Sequence, residues 1–218
     1  MLSPVIQPDT FEHQHALESL GLTAGFLTEI GTRILGAYHQ ATPHDASSAA
    51  GSYAYFAAVR ALRDVLSPQG WEPLRRYNLE MVTPPSRQIA VLPSSGDKYT
   101  GLDGIEPRTK NEKGNQTKEL VGINRNQGFL FPEMEPVDLP ADPAKLQTWV
   151  FLYHVDSLLS EMRMELALPV HIDITDSRVD QWKTRIKLPA IKFDHRPTPI
   201  SPEPAPEFDI EIRRKSNE

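Results

Sequence analysis

Chemistry-bearing side chains concentrate between Arg108 and Lys118. There Arg108, Lys110, Lys113 and Lys118 stand against one acid, Glu112: four positive charges to one negative, a local charge of +3 inside a chain of formal net charge -6. Lys98 lies just upstream. Gly114 loosens the backbone, and Thr109 and Asn111 add hydroxyl and amide donors. A segment of this kind can wrap an anion with ammonium charge and amide N–H groups together. A phosphate, a nucleic-acid backbone or an acidic protein face would suit it. The spacing matches no specific phosphate-binding motif, and a solvated surface loop is the plain alternative.

Acid–base and metal chemistry have three further candidates. Asp97, in Ser94-Ser95-Gly96-Asp97-Lys98-Tyr99-Thr100-Gly101, directly follows a predicted strand. Ligands often bind at such strand ends, and Asp97 could hold a metal ion or orient a hydroxyl. His154-Val155-Asp156 and His171-Ile172-Asp173 are the other two. Residues two apart on a strand share a side, so each presents an imidazole with a carboxylate. If the two strands are neighbours, His154, Asp156, His171 and Asp173 could form a metal or acid–base site. Ordinary polar decoration of an exposed face is the favoured reading, since both pairs lie near strand ends. His13 and His15 form a weaker surface pair.

Several activities lose their usual signatures. GxxxxGK[ST], GxGxxG and GxSxG are all absent, which counts against a P-loop, a dinucleotide fold and a nucleophile elbow. No Asp or Glu has a lysine two positions later, as the common metal-dependent nuclease motif requires. Arginine takes that place at Glu106-x-Arg108, Glu161-x-Arg163, Asp176-x-Arg178, Asp194-x-Arg196 and Glu211-x-Arg213. Its planar, delocalised charge replaces a compact ammonium poorly. A metal-dependent hydrolase or nuclease using Asp97 with His154 or His171 therefore stays as the alternative to a non-catalytic binding protein.

Composition sets the frame. The chain has 218 residues, 39% hydrophobic and 24% charged, with no cysteine. That is enough apolar material for a domain-sized core. Disulfides, thiolate metal sites and cysteine nucleophiles are excluded. The acidic balance argues against a general nucleic-acid coat. No apolar run reaches the roughly 18 to 20 residues of a membrane span, and Met1–Thr10 lacks the pattern of a secretory signal.

The positioning elements follow from periodicity. Leu22, Phe26, Leu27, Ile30, Ile34, Leu35 and Tyr38 build one helical face, with Thr23 as N-cap. Tyr53 to Leu66 builds a second, closed by Ser67-Pro68 and Gly70, and a short helix over residues 11–20 precedes both. After Trp71 the period falls to two. Strands are expected over 77–83 and 87–92, then 148–154 and 161–168, with a last one over 186–191. In the fourth, Met162, Met164, Leu166 and Leu168 alternate with Glu161, Arg163 and Glu165, so one face is apolar and the other charged. Residues 93–128 lose the pattern and read as a long polar insertion loop, which is either functional or disordered. From Phe193 the prolines at 197, 199, 202, 204 and 206 favour an extended, flexible tail.

Several local patterns occur in a recognisable order. They are Gly51-Ser52-Tyr53, Gly70-Trp71, Gly96-Asp97, Thr100-Gly101, Pro107-Arg108-Thr109-Lys110, Lys113-Gly114, Thr148-Trp149, Glu165-Leu166-x-Leu168-Pro169 and Trp182 with Arg185-Ile186-x-Leu188-Pro189. Over roughly residues 20–192 this resembles a group of uncharacterised bacterial proteins associated with prophages and integrative elements. The resemblance implies a cytoplasmic bacterial protein in mobile-element or phage-defence biology. It carries no activity, cofactor or site residue onto this chain.

The expected fold is α+β. N-terminal helices pack on a mainly antiparallel sheet over residues 9–192, the insertion spans 93–128, and a flexible proline-rich tail covers 193–218. The expected function is non-catalytic binding of a nucleic acid or acidic protein partner, away from membranes. The anion would meet Lys98, Arg108, Lys110, Lys113 and Lys118.

Overall fold

The computed structural model describes residues 2–76, 78–86, 88–126 and 146–194. Three helices open the chain: α1 (Phe11–Ser19), α2 (Ala24–Tyr38) and α3 (Ala49–Leu66). The Thr10 and Thr23 hydroxyls accept the His13 and Phe26 N–H groups at 3.1 and 3.2 Å, satisfying free donors at the starts of α1 and α2. The strands are β1 (Val5–Ile6), β2 (Glu72–Arg76), β3 (Leu79–Thr83), β4 (Ile89–Ser95), β5 (Gln147–Asp156), β6 (Glu161–Ile172) and β7 (Val179–Lys192). Helix α4 (Asn115–Asn126) lies between β4 and β5.

All seven strands form one sheet, in the order β1-β7-β6-β5-β4-β3-β2. The β1–β7 and β4–β5 pairs are parallel, and the others are antiparallel. The α+β architecture and mainly antiparallel sheet therefore match the expectation. Parallel β4 and β5 explain the long polar stretch. A tight turn cannot join parallel neighbours, so the chain must cross over. Residues 96 to 146 make that crossover.

The sheet is covered on both sides. On one face Val91, Trp149, Phe151, Tyr153, Met162, Met164, Leu166 and Ile186 meet Leu27, Ile30, Ile34 and Leu62 of the helices. On the other, Ala90, Leu92, Val150, Leu152 and Ala167 meet Leu120 and Val121 of α4. The crossover's first half lies over the rest of that second face.

Local periodicity leaves five departures. The expected insertion loop 93–128 holds the end of β4 and the whole of helix α4, whose polar outer face hides its period. Strand β2 is an edge strand whose Pro73 and paired arginines hide its period. Strand β1, only two residues long, starts the sheet before residue 9. Strand β7 begins at Val179 rather than 186. The charged side of β6 is not solvated, since Glu165 is fully buried and Arg163 nearly so. Nearly all of the expected tail, residues 195–218, lies outside the described residues.

Candidate functional site

The crossover segment 96–114 is held to the sheet by main-chain contacts first. The Gly96 N–H donates to Tyr153 O at 2.8 Å, Asp97 N–H to Arg108 O at 2.9 Å, and Lys110 N–H to Ser95 O at 2.9 Å. Thr109 N–H donates to Val179 O at 3.1 Å, and Val179 N–H returns a bond to the Thr109 hydroxyl at 3.1 Å. Trp182 Nε1 donates to Pro107 O at 2.8 Å.

Two arginines rising from the sheet complete the attachment. Arg163 of β6 donates to Thr100 O at 2.9 Å and Lys98 O at 2.8 Å. Arg185 of β7 donates to Ile105 O at 2.9 Å and Leu102 O at 3.1 Å. Four loop carbonyls thus gain partners that an apolar face could not give. Gly101, at φ +74°, lets the backbone lie close, and a Cβ there would come 2.9 Å from Arg163 Cβ.

Carboxylates balance both guanidiniums. Arg185 and Glu165 meet at 2.8 Å with side chains 1% and 0% exposed. Burial pushes the Glu165 carboxyl up, while Arg185 pulls it back. Arg163 meets Glu161 at 2.8 Å and Asp156 at 3.2 Å. Burial opposes ionisation of Asp156, but the Leu159 N–H and Arg163 outweigh it and hold its carboxyl below the usual range. Lys192 first, with Arg163, holds Glu161 low as well.

The five candidate cations divide. Arg108 lies between Asp173 and Asp176, at 2.8 and 2.9 Å. Lys113 turns inward, its Nζ donating to Ser94 Oγ at 2.8 Å. Burial pulls its amine down to about 8. Lys98, Lys110 and Lys118 are exposed, and Lys98 Nζ sits 5.2 Å from the centre of the Tyr99 ring.

The acid–base candidates do not converge. Asp97 organises its own turn, accepting the Tyr99 N–H at 3.0 Å. Nδ1 of His154 lies 3.3 Å from Gly96 O. Burial, then Arg163 and Lys110, hold that imidazole below its usual value against the Gly96 carbonyl and Asp156. His171 pairs with Asp180 at 2.7 Å, and Asp173 with Arg108. His154 stands opposite Arg163, eight residues before His171 on β6. That separation is about 26 Å of strand. Among the described residues no group of three or more His, Asp or Glu could hold a metal ion. No helix among them is long and apolar enough to cross a membrane.

A groove of about 670 Å³ opens at the starts of α1 and α2, lined by Thr10, Phe11, His13, Leu17 and Thr23 among others. Of the candidate residues only His13 lines it, and His13 is buried rather than on the surface, its Nε2 2.9 Å from Lys187 O.

Two features were missed from sequence. One is the pair of sheet arginines that grip the crossover. Their signal is faint: Arg163 and Glu165 alternate with an apolar row, as if on an exposed face. The other is Lys113 on Ser94. Ser94 continues the inward row of Ala90 and Leu92, so a polar residue there was a legible anomaly. No known protein family, curated protein or solved structure matches this chain.

Proposed function

We propose that this chain is a non-catalytic binding protein that contacts a polyanion, the backbone of a nucleic acid or an acidic protein face, through Lys98, Lys110 and Lys118. The reading rests on one observation: Arg163 and Arg185 fix the crossover backbone at four carbonyls while these three ammonium groups stay exposed. A segment already ordered loses little conformational entropy on binding. Arg108 and Lys113 serve the fold, which narrows the contact to three charges on an otherwise acidic chain. We place the activity in the bacterial cytoplasm, in mobile-element or phage-defence biology, as the resemblance implies. No observation favours metal-dependent hydrolysis, because Asp97, His154 and His171 are each engaged separately.

Fluorescence anisotropy with a labelled RNA strand, a DNA duplex and polyglutamate tests the reading. Three lysine–phosphate contacts predict that log K falls against log salt with a slope of about -2 to -3. Replacing Lys98, Lys110 and Lys118 together by Ala should abolish that slope and the binding. Binding to polyglutamate alone assigns an acidic protein partner. Binding of any of the three that neither salt nor the triple substitution weakens would overturn the proposal, as would no binding at all.

A further inference from the structure

We propose that residues 207–212 of the tail dock on their own domain, over the exposed leucines of the β5–β6 turn and the ammonium groups of Lys98 and Lys110. The inference rests on the lysines of the polyanion reading and adds an occupant from the chain itself. Its test needs no added polyanion, so the failure of one is told from the failure of the other.

Three observations carry it. First, the turn between β5 and β6 holds two leucines out in solvent. Leu158 is 91% exposed and Leu159 61%. The turn is built for this: both N–H groups donate to Asp156 Oδ1, at 3.1 and 3.0 Å, and Ser160 takes φ +50°. Adjacent bare leucines on a fixed backbone make an unpartnered apolar surface. Second, cations stand beside them. Nη2 of Arg163 donates to Asp156 Oδ2 at 3.2 Å and to Lys98 O at 2.8 Å, so one guanidinium nitrogen joins the leucine turn to Lys98. Lys110 comes close enough to His154, two residues before Asp156, to help hold its imidazole low. Lys98 and Lys110 are both exposed. Third, the chain leaves the sheet at this spot, where the Phe193 N–H donates to Ser160 O at 3.0 Å. The sequence beyond carries Glu203, Glu207, Asp209 and Glu211, with no base among residues 203–212. Within it Phe208, Ile210 and Ile212 alternate with Glu207, Asp209 and Glu211.

The match is twofold. An extended backbone sends alternate side chains to opposite sides. A segment lying between the leucines and the lysines then offers its apolar row to the first and its carboxylates to the second. In a polyproline conformation the stretch from Asp194 to Glu207 reaches up to about 40 Å, at roughly 3.1 Å per residue. That is ample for a target that begins one hydrogen bond from Phe193. Exposed ion pairs are individually weak. A tether supplies an effective concentration on the order of millimolar, at which a weak contact is filled. A polyanion arriving from solution has to displace this segment.

The test uses the full chain, whose lack of cysteine makes a single added thiol unique. A nitroxide attached at Ala205→Cys is read by NMR line broadening at the amides of Leu158, Leu159 and Lys98. The expected broadening is at least twofold greater than in a chain that also carries Glu207→Gln, Asp209→Asn and Glu211→Gln. Leu158→Ser with Leu159→Ser should halve the broadening at Lys98, and both side chains lie outside the core. Equal broadening with and without the three acids overturns the proposal, as does a leucine variant that leaves Lys98 unchanged. Broadening passed from a nitroxide-bearing chain to an isotope-labelled chain without one would assign the contact to a second copy and overturn it too.

Discussion

The two faces of the sheet are covered by different physics. Beneath α1–α3 the contact is mainly apolar, with His13 on Lys187 O and Arg63 on Glu80 as polar exceptions, and α2 comes so close that a Cβ on Gly31 would sit 2.2 Å from Met164 Sδ. On the other face an irregular segment lies over the strands. Irregular backbone leaves some carbonyls that it cannot satisfy itself. The sheet answers with Arg163 and Arg185, each neutralised by acids. A helix brings its hydrogen bonds with it and asks only for apolar surface, whereas a loop asks for donors. The second face is therefore the costlier to build, and it is where the exposed lysines and the half-buried Lys113 are found together.

Breaking the polar attachment should have the largest effect. Arg185→Met strands the Glu165 carboxylate and two carbonyls in the interior, at a cost of about 3–5 kcal/mol by urea unfolding. Hydrogen exchange over 96–114 should rise at the same time. Adding Glu165→Leu should restore most of that stability, since an uncharged pair leaves no buried ion. A double variant no better than the single would mean that the carbonyl contacts, not the ion pair, carry the energy.

Leu27→Ala on the helical face should cost about 2–5 kcal/mol through lost burial and the cavity left behind. It should leave exchange in 96–114 unchanged at matched stability. Loosening of both regions would show that the faces are not independent.

The smallest effect concerns pH. Lys113 sits near 8 in the folded chain and near 10.5 when unfolded. Between these values the unfolded chain binds more protons, so stability rises with pH there and is lower below about 8. Lys113→Met should flatten that rise and be more stable than wild type at neutral pH. Urea midpoints from pH 7 to 10.5 check this, and a parallel curve for the variant would reject it.

Much of the fold was legible because its signals are local. Thr23 and the apolar steps to Tyr38 declared α2, and the alternation from Met162 to Leu168 declared β6. Strand β2 was not, because an edge strand needs no apolar period. Helix α4 was hidden by the polar face it turns outward around Leu120, Val121 and Asn124. Asn124, fully buried, bonds to Thr148 and Pro169 and ties that helix to β5 and β6. The histidine pairs were visible, yet strand direction sets them apart.

By itself the sequence determined the three N-terminal helices, the centres of strands β3 to β6 and part of β7, and that a cationic stretch interrupts them. Only the tertiary structure decided that this stretch crosses over a face of the sheet, that β6's charges lie inside, and which lysine meets Ser94. Periodicity is set by neighbours within a turn or a pleat, whereas the pairing of a charge depends on which distant strand packs beside it.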